Sequence, residues 1–188
     1  MSAVIFSPAL KCRQSPRAQV VPYYTYRASM ATEIDIREWQ RGDLAKIQRD
    51  WLEFCRQATR SDIRLKPDCE IAMANWLAYR FKESEAFGFI AELDRKAVGF
   101  LIGRVGDWES VPPVVEPRKL GIIDAVYVNE EFRRRGIGIR LVERALQAMR
   151  DRNAVAAETI YDAWSADSAE IWRRAGFAPW MVHGYRML

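Results

Sequence analysis

The segment whose reading decides the fold runs Tyr127-Val128-Asn129-Glu130-Glu131-Phe132-Arg133-Arg134-Arg135-Gly136-Ile137-Gly138-Ile139. An apolar strand, Ile122 to Val128, ends there. A basic turn with two glycines follows, and then a helix whose apolar positions Ile139, Val142, Leu146 and Met149 keep helical spacing. Backbone N–H groups at a helix start have no intrahelical partner and lie at the positive end of the helix dipole, which makes the place an anion site. Glycine lets the backbone approach a pyrophosphate closely because no Cβ intervenes. The arginines add charge in a geometry suited to phosphate oxygens. Two nucleotide motifs are excluded: there is no G-x-x-x-x-G-K-[ST], and Leu141 stands where the third glycine of G-x-G-x-x-G belongs. Taken alone, the run also reads as a solvated basic turn or a nucleic-acid patch.

Working outward, Glu33 to Arg37 alternates polar and apolar, the period of a strand with one buried face. Asp43 is the expected N-cap of a helix carrying Leu44, Ile47, Trp51 and Phe54 on one stripe. A second helix is expected after Pro67, with Ile71, Ala74, Leu77 and Phe81 on one face. The apolar runs Phe87 to Glu92 and Ala97 to Ile102, joined by Leu93-Asp94-Arg95-Lys96, suit an antiparallel hairpin. A proline-rich loop with Trp108 occupies 106–119. Beyond the third helix come an expected strand (Glu158 to Trp164), a short helix (Asp167 to Arg174) and a final strand (Trp180 to Leu188). This order, with hairpins beside a strand-helix-strand crossover, predicts a mixed α/β sheet.

The chain has 188 residues, room for one domain and a tail, with 49% hydrophobic and 29% charged residues. No window approaches the roughly 20 unbroken apolar residues of a membrane helix, so no membrane partner is expected. Cys12, Cys55 and Cys69 follow no metal or redox spacing, and His183 is the single histidine, so no metal is expected. The net charge of +4 belongs to one place. Residues 1–32 hold Lys11, Arg13, Arg17 and Arg27 and no acid; the body, 33–188, balances 25 cations against 25 acids. A neutral body argues against nucleic acid as a partner. The leader reads as an organelle transit peptide, as residues upstream of a true start at Met30, or as a disordered tail. A cytoplasmic location is expected, or a plastid or mitochondrion if the leader is a transit peptide.

In its context, Arg133-x-x-Gly136-x-Gly138 resembles the acyl-coenzyme A pyrophosphate loop of the GCN5-related N-acetyltransferases (GNAT), whose pattern is Q/R-x-x-G-x-G/A. Three further segments are similar to the family's: Val126-Tyr127-Val128-Asn129-Glu130-Glu131-Phe132 before the loop, the hairpin around Phe89 to Phe100, and Ser168 to Phe177 with its Gly-Phe ending. The resemblance spans 33–188. It implies a mixed, mostly antiparallel central sheet with flanking helices, acetyl-coenzyme A as co-substrate, and direct attack by the amine of a small molecule, peptide or protein on the thioester. By the family's pattern, Val126, Tyr127 and Val128 splay from the neighbouring strand to meet the pantetheine arm. Arg133, Gly136, Ile137, Gly138 and Ile139 hold the pyrophosphate, and Arg134 and Arg135 either reach the 3′-phosphate or lie in solvent.

Asp124 is an acid inside an apolar strand, and a buried carboxylate needs a partner or a purpose. It reads either as one half of an ion pair with an arginine or, at the position where family members carry Glu or Asp, as the base that deprotonates the amine. The family's tyrosine acid is replaced by Trp172, whose indole does not ionise usefully and which is expected to pack on the coenzyme or in the core. Ser165 replaces the usual asparagine, and Tyr161 and Tyr185 are the substitute acids. The expected activity is amine N-acetylation; the rival is a non-catalytic acyl-coenzyme A-binding module that has kept the loop. Oligomeric state, a homodimer included, is left open.

Overall fold

The computed structural model describes residues 34–58, 64–108, 114, 116–162, 165–180 and 186. Five strands form one sheet in the order β1 (Asp35–Glu38), β2 (Ala86–Leu93), β3 (Lys96–Asp107), β4 (Lys119–Val128), β5 (Ala156–Thr159). The first four are antiparallel neighbours, and β5 joins β4 in parallel. Helices α1 (Leu44–Ala58) and α2 (Cys69–Lys82) precede β2, α3 (Ile137–Asp151) makes the β4-to-β5 crossover, and α4 (Ala166–Arg174) follows β5.

Both faces of the sheet are covered, which is why β2 and β3 read as unbroken apolar runs rather than alternating ones. Phe89, Ala91, Leu101 and Ile123 pack with Leu141, Val142 and Ala145 of α3 and with Trp172 of α4. The residues between them, Ile90, Phe100 and Ile102, meet Ile47 of α1 and Leu77 of α2 on the opposite face. The β2–β3 turn is Asp94-Arg95 with φ of 50° and 63°, the left-handed pair that a two-residue hairpin turn requires.

Several expectations are corrected. Asp43 does not cap α1. A 3-10 turn, Arg41–Asp43, precedes the helix with Gln40 as its cap, and Asp43 accepts the Gln40 N–H at 2.7 Å while pairing with Arg37. On α2, Ile71 is 65% exposed; the buried residues are Leu77 and Arg80. Phe54 is exposed, whereas Leu52, outside the expected stripe, is buried. β3 and β4 reach Asp107 and Lys119, which pair, so the strands take both ends of the expected loop. β5 stops at Thr159 instead of continuing to Trp164. The leader lies outside the described residues, as does most of the expected final strand; Trp180 and Arg186, which are described, are in no strand.

Candidate active site

The β4–β5 ladder pairs Leu120 through Ile123 with Ala156 through Thr159 and then stops, with Thr159 Oγ1 donating to the Ile123 carbonyl at 3.4 Å. β4 continues to Val128. From Asp124 onward its β5 side has no strand partner among the described residues, so the sheet opens into a fork.

A bulge sits at the mouth of the fork. Ile102 pairs with Ala125 but Gly103 pairs with Ile123, which leaves Asp124 as the extra residue. Ile123 faces the α3 cluster, and both Asp124 and Ala125 face α1 and α2. The Asp124 carboxylate accepts from Arg104 Nη1 through Oδ1, and its Oδ2 lies 3.5 Å from Arg80 Nε; these last two atoms are buried without a hydrogen-bond partner. Arg80 in turn pairs with Glu83 and lies 4.9 Å over the Trp76 ring. Of the two readings of Asp124, the ion pair is the one on view.

Next to Asp124 is a cavity of about 480 Å³ between α1 and α2, walled by Trp51, Leu52, Leu65, Met73 and Trp76, with Arg64 and Lys66 at its edge. Trp51 and Trp76 meet edge to face at 5.3 Å. Cys55 and Cys69 also line it; burial, with Cys69 nearby, pushes the Cys55 thiol up, so Cys55 keeps its proton near neutrality. Sequence reading missed this cavity. Trp51 is legible only as one residue of a helical stripe, and the one available signal was Arg80, a charge set at helical spacing behind Trp76 and Leu77.

The glycine turn leaves β4 on the way to α3. Gly136, with φ of 79°, is the N-cap, and the first turn N–H to find an acceptor is that of Arg140, which donates to the Gly136 carbonyl at 3.1 Å. The N–H groups of Ile137, Gly138 and Ile139 therefore point out of the helix start. The two glycines serve different needs. At Gly136 a Cβ would meet nothing within 4 Å, so its conformation is what demands glycine. At Gly138 a Cβ would lie 2.5 Å from Ile171 Cδ1, so any larger residue would have to displace the tip of that side chain on α4. Arg133 Nε donates to the Val128 carbonyl at 3.0 Å, tying the turn to the end of β4. Arg135 reaches the Glu131 carbonyl at 3.4 Å and lies 5.5 Å over the Phe132 ring. Arg133, Arg134 and Arg135 are all exposed. Free helix-start N–H groups beside exposed cations fit a pyrophosphate.

The tyrosines and Trp172 are dispersed. Trp172 is 3% exposed in the core, between Tyr161 at 6.1 Å and Phe177 at 5.2 Å, so its indole is packed inside the protein. Tyr161 is half-buried against it. Tyr185 lies outside the described residues. Ser165 caps α4, accepting the Ser168 N–H at 3.3 Å. Val126 and Val128 face α3, whereas Tyr127 faces α1, stacked on Phe100 at 5.5 Å; burial, reinforced by Asp50, pushes its phenol up, so it keeps its proton near neutrality. Among the described residues no His/Cys/Asp/Glu group is arranged to hold a metal, and no helix is long and apolar enough to cross a membrane.

A mixed sheet forked between parallel β4 and β5, with a glycine turn opening the crossover helix, defines an acyltransferase of one kind. The chain belongs to the acetyltransferase (GNAT) family, which matches residues 44–177, and it is an N-acetyltransferase. It is similar to an uncharacterized N-acetyltransferase of Archaeoglobus fulgidus, 33% identical over 125 residues, which is 66% of this chain and 80% of that protein. An N-alpha-acetyltransferase of Sulfurisphaera tokodaii is 34% identical over 85 residues, covering 43% of this chain and about half, 47%, of its own length. In fold, the chain resembles AAC(6')-Iy, solved in complex with the bisubstrate analog CoA-S-monomethyl-acetylneamine, with a TM-score of 0.63 over 83% of this chain and 99% of that one at 16% identity.

Proposed function

We propose that the protein transfers an acetyl group from acetyl-coenzyme A to the amine of a small molecule. The observation that carries this reading is the meeting of two features at one residue: Asp124 stands at the mouth of the β4–β5 fork and also lines the α1–α2 cavity. A thioester entering from the glycine-turn side and an amine entering from the cavity side come together there. The N–H groups of Ile137, Gly138 and Ile139, which no helix carbonyl accepts, with Arg133 to Arg135, bind the pyrophosphate, and the unpaired β4 edge from Val126 to Val128 receives the pantetheine arm. AAC(6')-Iy, bound to a coenzyme A–amine conjugate, supports both halves of the assignment.

In the reaction an N–C bond forms as the amine attacks the acetyl carbonyl, the C–S bond breaks, and one proton leaves the amine while one reaches the departing sulfur. Asp124 receives the amine's proton, and Arg80 and Arg104 fix the carboxylate at the bulge. Tyr161 is packed on Trp172 and does not stand as an evident acid; water protonates the sulfur.

The test pairs two measurements. Coenzyme A should raise the melting temperature, and free thiol should appear with some member of an amine panel. Protection without thiol release from any amine moves the reading to an acyl-coenzyme A-binding module. Absence of protection removes the coenzyme assignment altogether.

A further inference from the structure

We infer that the α1–α2 cavity selects an amine that carries a carboxylate on an apolar body, a free apolar or aromatic amino acid, and disfavours polycationic acceptors. The inference rests on the acetyl-transfer reading and adds the chemistry of its acceptor.

The cavity supplies three kinds of contact. Trp51, Leu52, Leu65, Met73 and Trp76 give an apolar wall of a size, about 480 Å³, suited to a small ligand. Among the described residues one acid, Asp124, lines it, and that acid already faces two guanidiniums, Arg80 and Arg104. Two cations, Arg64 and Lys66, line it as well, and neither meets a carboxylate among the described residues. Among the described residues the unmatched charge of the cavity is therefore positive. A molecule with several ammonium groups finds one shared carboxylate and meets like charge elsewhere, which costs affinity. A molecule with one amine and one carboxylate matches the set: the amine toward Asp124 at the fork, the carboxylate toward Arg64 and Lys66, and an apolar side chain against the wall that Trp51, Leu65 and Trp76 form. The product is then the N-acetyl amino acid, released with coenzyme A.

Arg64 and Lys66 are exposed and precede α2, so their substitution leaves the fold intact. The experiment compares the wild type with the Arg64→Gln, Lys66→Gln double variant, both with coenzyme A present. Calorimetry reads the affinity for N-acetyl-L-phenylalanine against N-acetyl-L-phenylalaninamide, and thiol release reads L-phenylalanine against its amide and against kanamycin. The wild type is expected to prefer the acid by about tenfold, the scale of one charge-assisted hydrogen bond, with the double variant bringing the ratio near one. Equal affinity for acid and amide, no binding of either, or a ratio unchanged in the double variant overturns the inference. So does turnover of kanamycin or the amide at or above that of the acid, even though acetyl transfer then stands. If no amine releases thiol yet the acid preference is present and is lost in the double variant, the cavity's selectivity stands and the transfer reading fails.

Discussion

Asp124→Asn separates the two things a paired carboxylate can do. The side chain is 13% exposed, Arg80 is 11% and Arg104 is 31%. Breaking a buried pair by removing one partner costs about 3–5 kcal/mol, because the other charge stays buried, whereas exposed pairs contribute about 0–1 kcal/mol. Arg104 is nearly a third exposed and is hydrated once released, and Arg80 keeps Glu83, so the expected cost falls to about 2–3 kcal/mol. For a domain of this size that is a melting-temperature loss of about 5–10 °C. The variant should therefore be studied below its transition, by thermal melting, coenzyme A titration and initial rates across pH. The proposed proton acceptor predicts a fall in kcat of about 100-fold or more with coenzyme affinity unchanged. Arg104→Gln is the companion: it loosens the carboxylate without removing it, so its loss in kcat should be the smaller one. An Asp124→Asn protein that melts within a degree of the wild type refutes the anchoring role. One that melts early but turns over at the wild-type rate at every pH refutes the chemical role.

Three further outcomes follow from the geometry. Gly136→Ala should cost about 1–2 kcal/mol by thermal melting because of its left-handed backbone, and Gly136→Asn less than that, since asparagine tolerates the region; equal melting of all three proteins would show that conformation does not select glycine there. Trp172→Ala should lose about 3–5 kcal/mol in a denaturant titration, as for a core aromatic, while Trp172→Phe keeps coenzyme A affinity; a specific loss of coenzyme binding in the Phe variant would place the indole at the ligand instead. Asp43 is held below the usual carboxylate range by its hydrogen bond from Arg37, so its stabilisation is full above the unfolded value of about 4 and is lost as pH falls through the lower folded value. Asp43→Asn should then melt below the wild type at neutral pH, with the two curves converging in acid. A gap that stays constant with pH would deny the linkage.

What the sequence made legible was local. The β2–β3 hairpin, the glycine turn and the span of α3 each follow from a few adjacent residues, and they stand where expected. The misreadings share a different cause. Ile71 fits a helical stripe by spacing, yet it sits in the first turn of α2 and is exposed; α1, β2 and β3 bury Leu77, and Asp124 of β4 meets Arg80. Asp43 looks like a cap, but Arg37, positioned by β1 pairing with Glu92 on β2, draws it into an ion-pair cluster and leaves the cap to Gln40. The α1–α2 cavity was out of reach for the same reason: Trp51, Arg64 and Trp76 become neighbours only when two helices pack on a strand that comes later in the chain. Asp124 stood between these cases. Its oddness was local and visible, but its partners, Arg80 and Arg104, lie on two other elements.

The bulge explains why one strand serves two ligands. In a regular β4, side chains alternate, so with Ile123 toward α3 the positions of Ala125 and Tyr127 would also face α3, and Val126 and Val128 would face α1 and α2. One extra residue at Asp124 reverses every side chain after it. Val126 and Val128 then lie on the α3 face, where Val128 Cγ2 comes within 3.9 Å of the place a Cβ would take at Gly138, and Tyr127 goes to the α1 face against Phe100. The small aliphatic residues thus flank the glycine turn, and the acid and the phenol face the helices that wall the cavity. A β4 without the bulge would keep the same composition and lose this division, because the fork would open with its polar and apolar sides exchanged.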